Sequence, residues 1–289
     1  MRVAARRLRA ALSLFADYLP LNAQRMREEL GWVAGALGAV RDLDVQIAQL
    51  EDWRPELTAE EREQLDPLIA VLTDRRAAAR DEMLAVLDSH RYDRLVPAFT
   101  SMLRRGTAAG PASGDVPAVN VAPDLLEQRY RRFRKHGDRI TAASPPEAYH
   151  ELRIRGKRLR YALEFFTDIY GKPLRAVVES LVAVQDVLGT HQDATVAVEH
   201  LRELSATASD KLPGETIFLM GRLAERYAVQ AADARAAFPR AYGKLGGKTW
   251  KTLRRRLEHG RLPSPSPVTE TPPEPADPVT IQPDGHGGQ

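Results

Sequence analysis

The sequence contains no cysteine. A disulfide framework, a thiolate metal site and a cysteine nucleophile are therefore excluded, and the composition is typical of a reducing compartment. Long apolar runs are also missing: the longest uncharged stretch in the part predicted to fold, LGWVAGALGAV at residues 30–40, is too short to cross a bilayer. The first residues lack the apolar centre of a signal peptide. We therefore expect a soluble, cytoplasmic protein.

The alternation of apolar and polar residues that is typical of β-strands is absent as well. Apolar residues instead recur at helical spacing, and prolines and glycines interrupt the pattern. The sequence therefore predicts an all-α fold. Thr58 with Glu61, and Ser144 with Glu147, are predicted N-caps of two helices. The helices are predicted near residues 1–18, 22–53, 59–88, 91–105, 123–142, 146–169, 173–205, 215–237 and 239–258.

Two segments have no helical periodicity. RRGTAAGPASGDVPAVNVAP at residues 104–123 predicts a linker over 106–122, which separates a first half of about 1–105 from a second half of about 123–260. The final 27 residues, from Pro263, are rich in proline and contain four acidic residues but no lysine or arginine. Such a segment buries too little apolar surface to offset the entropy lost on ordering. Residues 261–289 are therefore predicted to form a disordered acidic tail.

Basic side chains are concentrated in one region. The chain has a formal net charge of +3, to which the segment from Pro263 contributes −4, so the preceding residues carry +7. Between Arg129 and Arg160 there are eleven lysines or arginines against three acidic residues. A solvated helix usually alternates charges that pair three or four residues apart, and this region lacks that balance. The clustering predicts an anionic partner: nucleic acid, a membrane surface or polyphosphate.

An internal repeat with an offset of 151 residues organises the chain. MRVAARRLRAALSLFADYL, from residue 1, aligns with LRIRGKRLRYALEFFTDIY, from residue 152. At the same offset, LGAVRDLDV at 37–45 aligns with LGTHQDATV at 188–196. Each copy thus has a basic helix followed by a long helix that carries Leu-Gly and a later Asp. We predict two four-helix-type bundles that arose by duplication and pack about a pseudo-two-fold axis.

Each basic helix combines an apolar face with a column of cations. The predicted core faces are Leu8, Leu12, Phe15 and Leu19 in the first copy, and Leu159, Leu163, Phe166 and Tyr170 in the second. The cationic columns are Arg2, Arg6 and Arg9 in the first copy, and His150, Arg153, Lys157 and Arg160 in the second. A column of this kind extends about 10 Å and suits an extended polyanion better than one small ligand. Further candidate ligands are Arg41, Arg131 and Lys135.

Residues 1–260 resemble the CHAD family, the conserved-histidine α-helical domain. The resemblance rests on HELRIRGKRLRYALEFF and VQDVLGTHQD, together with the less regular first copies MRVAARRLRAALSLF and LGAVRDLDV. It implies two helical bundles with a basic channel between them. It also implies that this channel, lined by the cations named above, binds inorganic polyphosphate, and that the protein associates with polyphosphate granules.

The sequence departs from the family pattern in two ways. The His-x-x-Arg signature is expected in both copies, but only His150 is present, because the first histidine would precede residue 1. The triphosphatase domain of many members, with its Glu-x-Glu-x-Lys motif, is not found. We therefore expect a non-enzymatic binding protein with no catalytic residue, no cofactor, no metal and no membrane partner.

Other functions stay open at this point. The basic helices are also compatible with binding of single-stranded nucleic acid or of polyanions in general, although the columns lack aromatic side chains for base stacking and only Tyr161 lies at their margin. A metal-dependent phosphohydrolase would need an acidic cluster, whereas Asp42 and Asp193 are interpreted as structural partners of arginines. For His150, a structural hydrogen bond and direct ligand contact are both open.

Two short motifs and one glutamate also bear on the candidate site. HQD at 191–193 with His200 has a spacing that fits no closed metal site. GKLGGKT at 243–249 has Tyr242 where a phosphate-binding loop requires its first glycine. Glu164, four residues after Arg160, is predicted to orient that arginine.

Overall fold

The computed structural model describes residues 1–105, 114, 116–208 and 211–260. No strand occurs among these residues, so the predicted all-α class is confirmed. Short 3₁₀ turns occur at Ala16–Tyr18 and Arg54–Glu56. The predicted tail lies outside the described residues, as does much of the predicted linker. The helices are α1 (Arg2–Leu14), α2 (Ala23–Trp53), α3 (Ala59–Leu87), α4 (His90–Arg105), α5 (Ala118–Gly137), α6 (Pro146–Phe165), α7 (Thr167–Tyr170), α8 (Lys172–Thr207), α9 (Gly214–Lys244) and α10 (Lys248–His259).

The buried side chains of the described residues form three clusters. One joins α5, α6, α10 and the end of α9 to the first half of α8, from Leu174 to Leu188. A second joins α2 and α3 to α9 and the second half of α8, from Ala194 to Leu204. The third lies between α1, the start of α2 and α4. Because α8 runs through the first two clusters, the two halves of the chain share a core.

The neighbours of each helix recur in the two halves. In the first half α1 packs on α2, and α2 packs on α3. In the second half α6 packs on α8, and α8 packs on α9. In addition, α1 packs directly on α6. The two basic helices of the repeat therefore lie against one another, each supported by a long helix of its own half.

One of the two predicted N-caps is confirmed. The side chain of Thr58 accepts a hydrogen bond from the backbone N–H of Glu61 at 3.3 Å, and the Glu61 carboxylate accepts one from the backbone N–H of Thr58 at 2.9 Å. The prediction for Ser144 is wrong, because Pro145 holds the extended backbone position that precedes α6. The Ser144 hydroxyl instead accepts a hydrogen bond from the N–H of Thr141 at 2.9 Å.

Helix α5 begins at Ala118, so residues 118–122 of the predicted linker are helical, and it ends at Gly137 rather than near residue 142. Pro123 lies inside this helix and is buried. Its ring removes the N–H that would bond to the carbonyl four residues earlier, at Val119. That carbonyl accepts a hydrogen bond from the hydroxyl of Tyr170 at 3.2 Å. The tertiary contact thus satisfies the group that the proline leaves without its helical partner.

The predicted break before Pro239 is also wrong, since α9 continues through that residue to Lys244. Phe238 and Tyr242 on either side of it are buried, and this packing holds the helix against the core. The break occurs instead at Gly247, which has a φ of 72° and precedes α10. A left-handed backbone of this kind favours glycine.

One member of the predicted core face of α1 is exposed. Leu8 is 38% accessible, whereas Leu159 at the equivalent position of α6 is fully buried. Leu12 is buried as predicted. In the second half α5 packs on α6, and among the described residues no helix packs on α1 in the corresponding way. The prediction for Leu8 is therefore wrong. Helical spacing gives the direction of a side chain around the helix axis, but it does not show whether a neighbouring helix covers that side chain.

Candidate anion-binding cleft

A cleft of about 580 Å³ lies between the two basic helices and the long helices that support them. Helix α1 contributes side chains from one side and α6 from the other, while α2 and α8 form its walls. Six of the predicted ligands line it: Arg2, Arg6, Arg41, His150, Arg153 and Lys157. The first two members of the α1 column and three members of the α6 column therefore converge on one space.

The carboxylates that line the cleft are those of Asp42 and Asp193. Asp193 on α8 lies 3.5 Å from the guanidinium of Arg153 on α6, which agrees with the structural role predicted for it. Asp42 on α2 is a charged neighbour of Arg2 and partly offsets the lowering of the Arg2 pKa, which results from burial and from the charges of Arg6 and Arg41. Each acidic side chain thus moderates the repulsion between cations that share the cleft.

Lys157 lies between cations of both basic helices. Burial, followed by the charges of Arg153 and Arg6, lowers the pKa of its ammonium group from 10.5 to about 8, and Asp193 only partly opposes this. At pH 7 the amine is still mostly charged, although its surroundings disfavour the charge. An anion placed among these side chains would reverse that balance, since it favours the protonated amine.

The guanidinium groups around the cleft are incompletely hydrogen-bonded. The Nε atoms of Arg6 and Arg153 are buried and have no hydrogen-bond partner within the described part of the chain. Buried donors are almost always paired in folded proteins. Unpaired charged donors at the wall of a basic cleft indicate a site that favours an anionic acceptor.

Two histidines face the cleft and each is paired with a glutamine. Nδ1 of His150 lies 2.6 Å from Oε1 of Gln192, and Nδ1 of His200 lies 3.4 Å from Oε1 of Gln46. With the amide oxygen as the acceptor, Nδ1 of His150 carries the proton, so Nε2 can donate to an anionic ligand only when the imidazole is protonated. His150 therefore has a structural hydrogen bond and also lines the cleft, so the two interpretations of this residue are compatible.

His191 lies behind the cleft and is buried. Its Nε2 accepts a hydrogen bond of 2.9 Å from Nε of Arg235, and its ring stacks on Tyr149 at 4.7 Å between centroids. Burial, followed by the charge of Arg235, lowers its pKa to about 4. This histidine is therefore a neutral packing element. The described residues contain no group of three or more His, Asp or Glu side chains that could hold a metal ion.

Four predicted ligands do not line the cleft. Arg160 pairs with Glu164 at 3.2 Å, as predicted, and Arg131 pairs with Glu127 at 2.7 Å on the exposed side of α5. Lys135 is exposed on the same helix. Helix α5 packs on α6 and α10 and does not contribute to the cleft. Arg9 is exposed and lies against Gly31 of α2, beyond the end of the cleft.

Several lining residues were not predicted, because the sequence analysis identified ligands by their cationic side chains. They follow a regular pattern around the repeated aspartates of α2 and α8. Val45, Gln46 and Gln49 lie three, four and seven residues after Asp42, and Val196, Ala197 and His200 occupy the same positions after Asp193. Positions at this spacing share one face of a helix. The repeated aspartate was thus the signal that could have identified this face.

Comparison with known proteins identifies relatives that match most of the chain. A sequence model of the CHAD domain matches residues 1–202. Two uncharacterized proteins from different strains of Mycobacterium tuberculosis are each 30% identical over 258 residues, which are 85% of this chain and 47% of theirs. The chain therefore spans about half the length of these curated relatives.

Two solved structures superpose on most of the chain. The crystal structure of the CHAD domain from the plant Ricinus communis does so with a TM-score of 0.66 and 28% identity, over 89% of this chain and 80% of that one. PptA from Streptomyces chartreusis gives a TM-score of 0.68 with 21% identity, over 84% of this chain and 87% of its own, which is a likeness of fold. In residues 1–105, 114, 116–208 and 211–260, no helix is both long and apolar enough to span a membrane.

Proposed function

The chain belongs to the CHAD family, and from this premise we propose that it binds inorganic polyphosphate in the cleft between α1 and α6 without hydrolysing it. The observation that supports the proposal most strongly is the convergence of Arg2 and Arg6 with Arg153 and Lys157 on one space. We include association with polyphosphate granules in the cytoplasm in this proposal, because a protein that binds long chains would accumulate where such chains are stored.

The residue types suit a linear chain of phosphates. Guanidinium groups donate paired hydrogen bonds to phosphate oxygens, and an ammonium group supplies a mobile point charge. Arg6 on one side and Arg153 on the other can contact the same chain, because both line one cleft. Burial and, after it, the charges of Arg153 and Arg6 lower the pKa of Lys157, and a phosphate that enters the cleft opposes this by favouring the protonated amine.

Nucleic acid is the second candidate, and the cleft supports it less well. Proteins that bind single strands stack bases on exposed aromatic rings. The aromatic side chain among the lining residues is Tyr227, which is 3% accessible and packs against Trp53 at 4.5 Å between ring centroids. Its ring is therefore committed to the core and is not available for stacking.

We also propose that the cleft carboxylates take no part in catalysis. Asp193 pairs with Arg153, and Asp42 neighbours Arg2. A carboxylate that pairs with an arginine suits an orienting role, because its oxygens are already engaged with the guanidinium group.

The proposal is tested by binding of fluorescent long-chain polyphosphate at two salt concentrations, with and without excess RNA. We compare the wild type with a cleft variant, Arg6→Gln with Arg153→Gln. The control variant, Arg75→Gln with Arg80→Gln, removes two exposed arginines of α3 that do not line the cleft. If the five lysine and arginine side chains of the cleft neutralise phosphates, log K should fall with log salt at a slope of about 3.5.

We expect the cleft variant to bind at least about a hundredfold more weakly, because it loses two charge-assisted hydrogen bonds that contribute roughly 1.5–3 kcal/mol each. The control variant should stay within about twofold of the wild type, since isolated surface charges contribute little. Equal affinities of the cleft and control variants, or equally strong competition by RNA, would refute the proposal.

A further inference from the structure

A second group of cations lies outside the cleft, where α1, α2, α5 and α6 come together. We call it the outer arginine cluster. Its members come from all four helices and were not grouped by the sequence analysis: Arg9, Arg27, Arg129, Arg132, Arg155 and Arg158.

Two contacts place members of this cluster against neighbouring helices. The Arg129 guanidinium on α5 donates a hydrogen bond of 2.9 Å to the carbonyl of Ser13, one turn beyond Arg9 on α1. The Arg9 guanidinium lies against Gly31 of α2, so close that a Cβ added there would be 3.4 Å from its Cζ atom. Arg27 is one turn before Gly31 on the same helix. These contacts bring α1, α2 and α5 together at one place.

The electrostatic environment of the cluster is strongly positive. The principal charged neighbours of Arg158 are Arg155, Arg27, Arg132 and Arg9, and those of Arg129 are Arg132 and Arg158. Within the described chain, none of these principal neighbours is acidic. Burial and these charges lower the pKa of Arg129 and of Arg158. Glu151 pairs only with Arg155, at 3.4 Å.

Arg9 connects the outer arginine cluster to the cleft. It is the third member of the α1 column, whose first two members, Arg2 and Arg6, line the cleft. Seven residues of helix separate Arg2 from Arg9, which corresponds to about 10 Å. The column therefore extends from the cleft to the cluster along a single helix.

The equivalent path along α6 is blocked by an acidic residue. Arg160, which aligns with Arg9 in the repeat, pairs with Glu164 at 3.2 Å. The residue that aligns with Glu164 is Ser13, whose carbonyl accepts the hydrogen bond from Arg129. At this position α6 thus carries an anion where α1 holds an additional cation. The basic surface is extended at one end of the cleft and neutralised at the other.

We propose that the outer arginine cluster is a second phosphate-binding surface, onto which a long polyphosphate chain continues from the cleft past Arg9. This inference rests on the proposed function of the cleft. The inference specifies the end of the cleft from which a long chain leaves. It also predicts that affinity depends on chain length, because short chains occupy the cleft alone and longer chains gain affinity from the cluster.

The experiment uses isothermal titration with two probes, tripolyphosphate and long-chain polyphosphate. The cluster variant is Arg132→Gln with Arg158→Gln, two exposed arginines that do not line the cleft. We expect its affinity for tripolyphosphate to stay within twofold of the wild type. Its affinity for the long chain should fall about five- to tenfold at low salt, and its salt slope should decrease by about 1.4, because two phosphate contacts are lost.

The cleft variant distinguishes a failure of this inference from a failure of the proposed function. If the cleft is the primary site, the cleft variant weakens binding of both probes. A cluster variant that binds the long chain as the control variant does would overturn the second surface and leave the cleft standing. Cleft and control variants that behave alike, or a wild type that binds neither probe, would overturn both proposals.

Discussion

Binding of polyphosphate is predicted to weaken as the pH rises from 7 to 9, because Lys157 loses its charge over this range. Burial and the charges of Arg153 and Arg6 lower the pKa of Lys157 from 10.5 to about 8. A bound phosphate chain favours the protonated amine and raises the pKa again. Binding therefore takes up a proton, and the affinity is highest at a pH where the free protein already carries that proton.

The size of the effect follows from the lowered pKa. With a pKa of about 8, roughly nine-tenths of the molecules carry a charged Lys157 at pH 7 and roughly one-tenth at pH 9. Protonating the amine at pH 9 requires about 1.4 kcal/mol, so the affinity should be about tenfold lower than at pH 7. The decrease continues with pH until the pKa of Lys157 in the complex is reached.

Isothermal titration with tripolyphosphate at constant ionic strength measures this change. The matched control is Lys157→Arg, which keeps a positive charge but does not titrate in this range. Every other group that titrates in this range is common to both experiments. The difference between the two pH profiles therefore isolates Lys157. Parallel pH profiles for the wild type and Lys157→Arg would show that the charge of Lys157 does not cause the pH dependence.

Two further predictions concern stability. Because the pKa of Lys157 is lower in the folded protein, its charge destabilises the fold below pH 8, and this penalty disappears as the pH rises towards 10.5. Lys157→Met should therefore raise the free energy of unfolding at pH 7 by about 1–3 kcal/mol, and the gain should be smaller at pH 10. Urea denaturation measures this change, and a loss of stability at pH 7 would contradict the prediction. At Gly137 an added Cβ would overlap the ring of Tyr242, whereas one at Gly189 meets nothing within 4 Å. Gly137→Ala should therefore destabilise the protein by roughly 1–3 kcal/mol, whereas Gly189→Ala should not. Equal urea midpoints for these two variants would contradict an overlap between the added Cβ and Tyr242.

The sequence predicted the fold class and the opposing columns well, because helical periodicity and the repeat are both local signals. The alignment of Arg6 with Lys157 placed equivalent cations on equivalent helices, and the direct packing of α1 on α6 brings them together. Helical spacing could not predict how far the cleft extends along each helix. Arg9 and Arg160 have the correct angular position, but they lie beyond the residues that line the cleft.

The remaining errors depended on tertiary neighbours. Leu8 is exposed because no described helix packs over α1 as α5 does over α6. Pro123 lies within a helix because Tyr170 satisfies the carbonyl that the proline leaves free. In the same way, the outer arginine cluster depends on side chains from four helices that are distant in sequence. Such convergence has no periodic signature in the sequence.

In the proposed complex, α1 and α6 contact the same phosphate chain in one cleft. The most direct test is the affinity of tripolyphosphate for two single variants, Arg6→Gln and Arg153→Gln, one from each helix. We expect each to weaken binding by about tenfold, because each removes a charge-assisted hydrogen bond to the same short ligand. If tripolyphosphate affinity depended on one of these arginines and not on the other, the shared cleft would be contradicted.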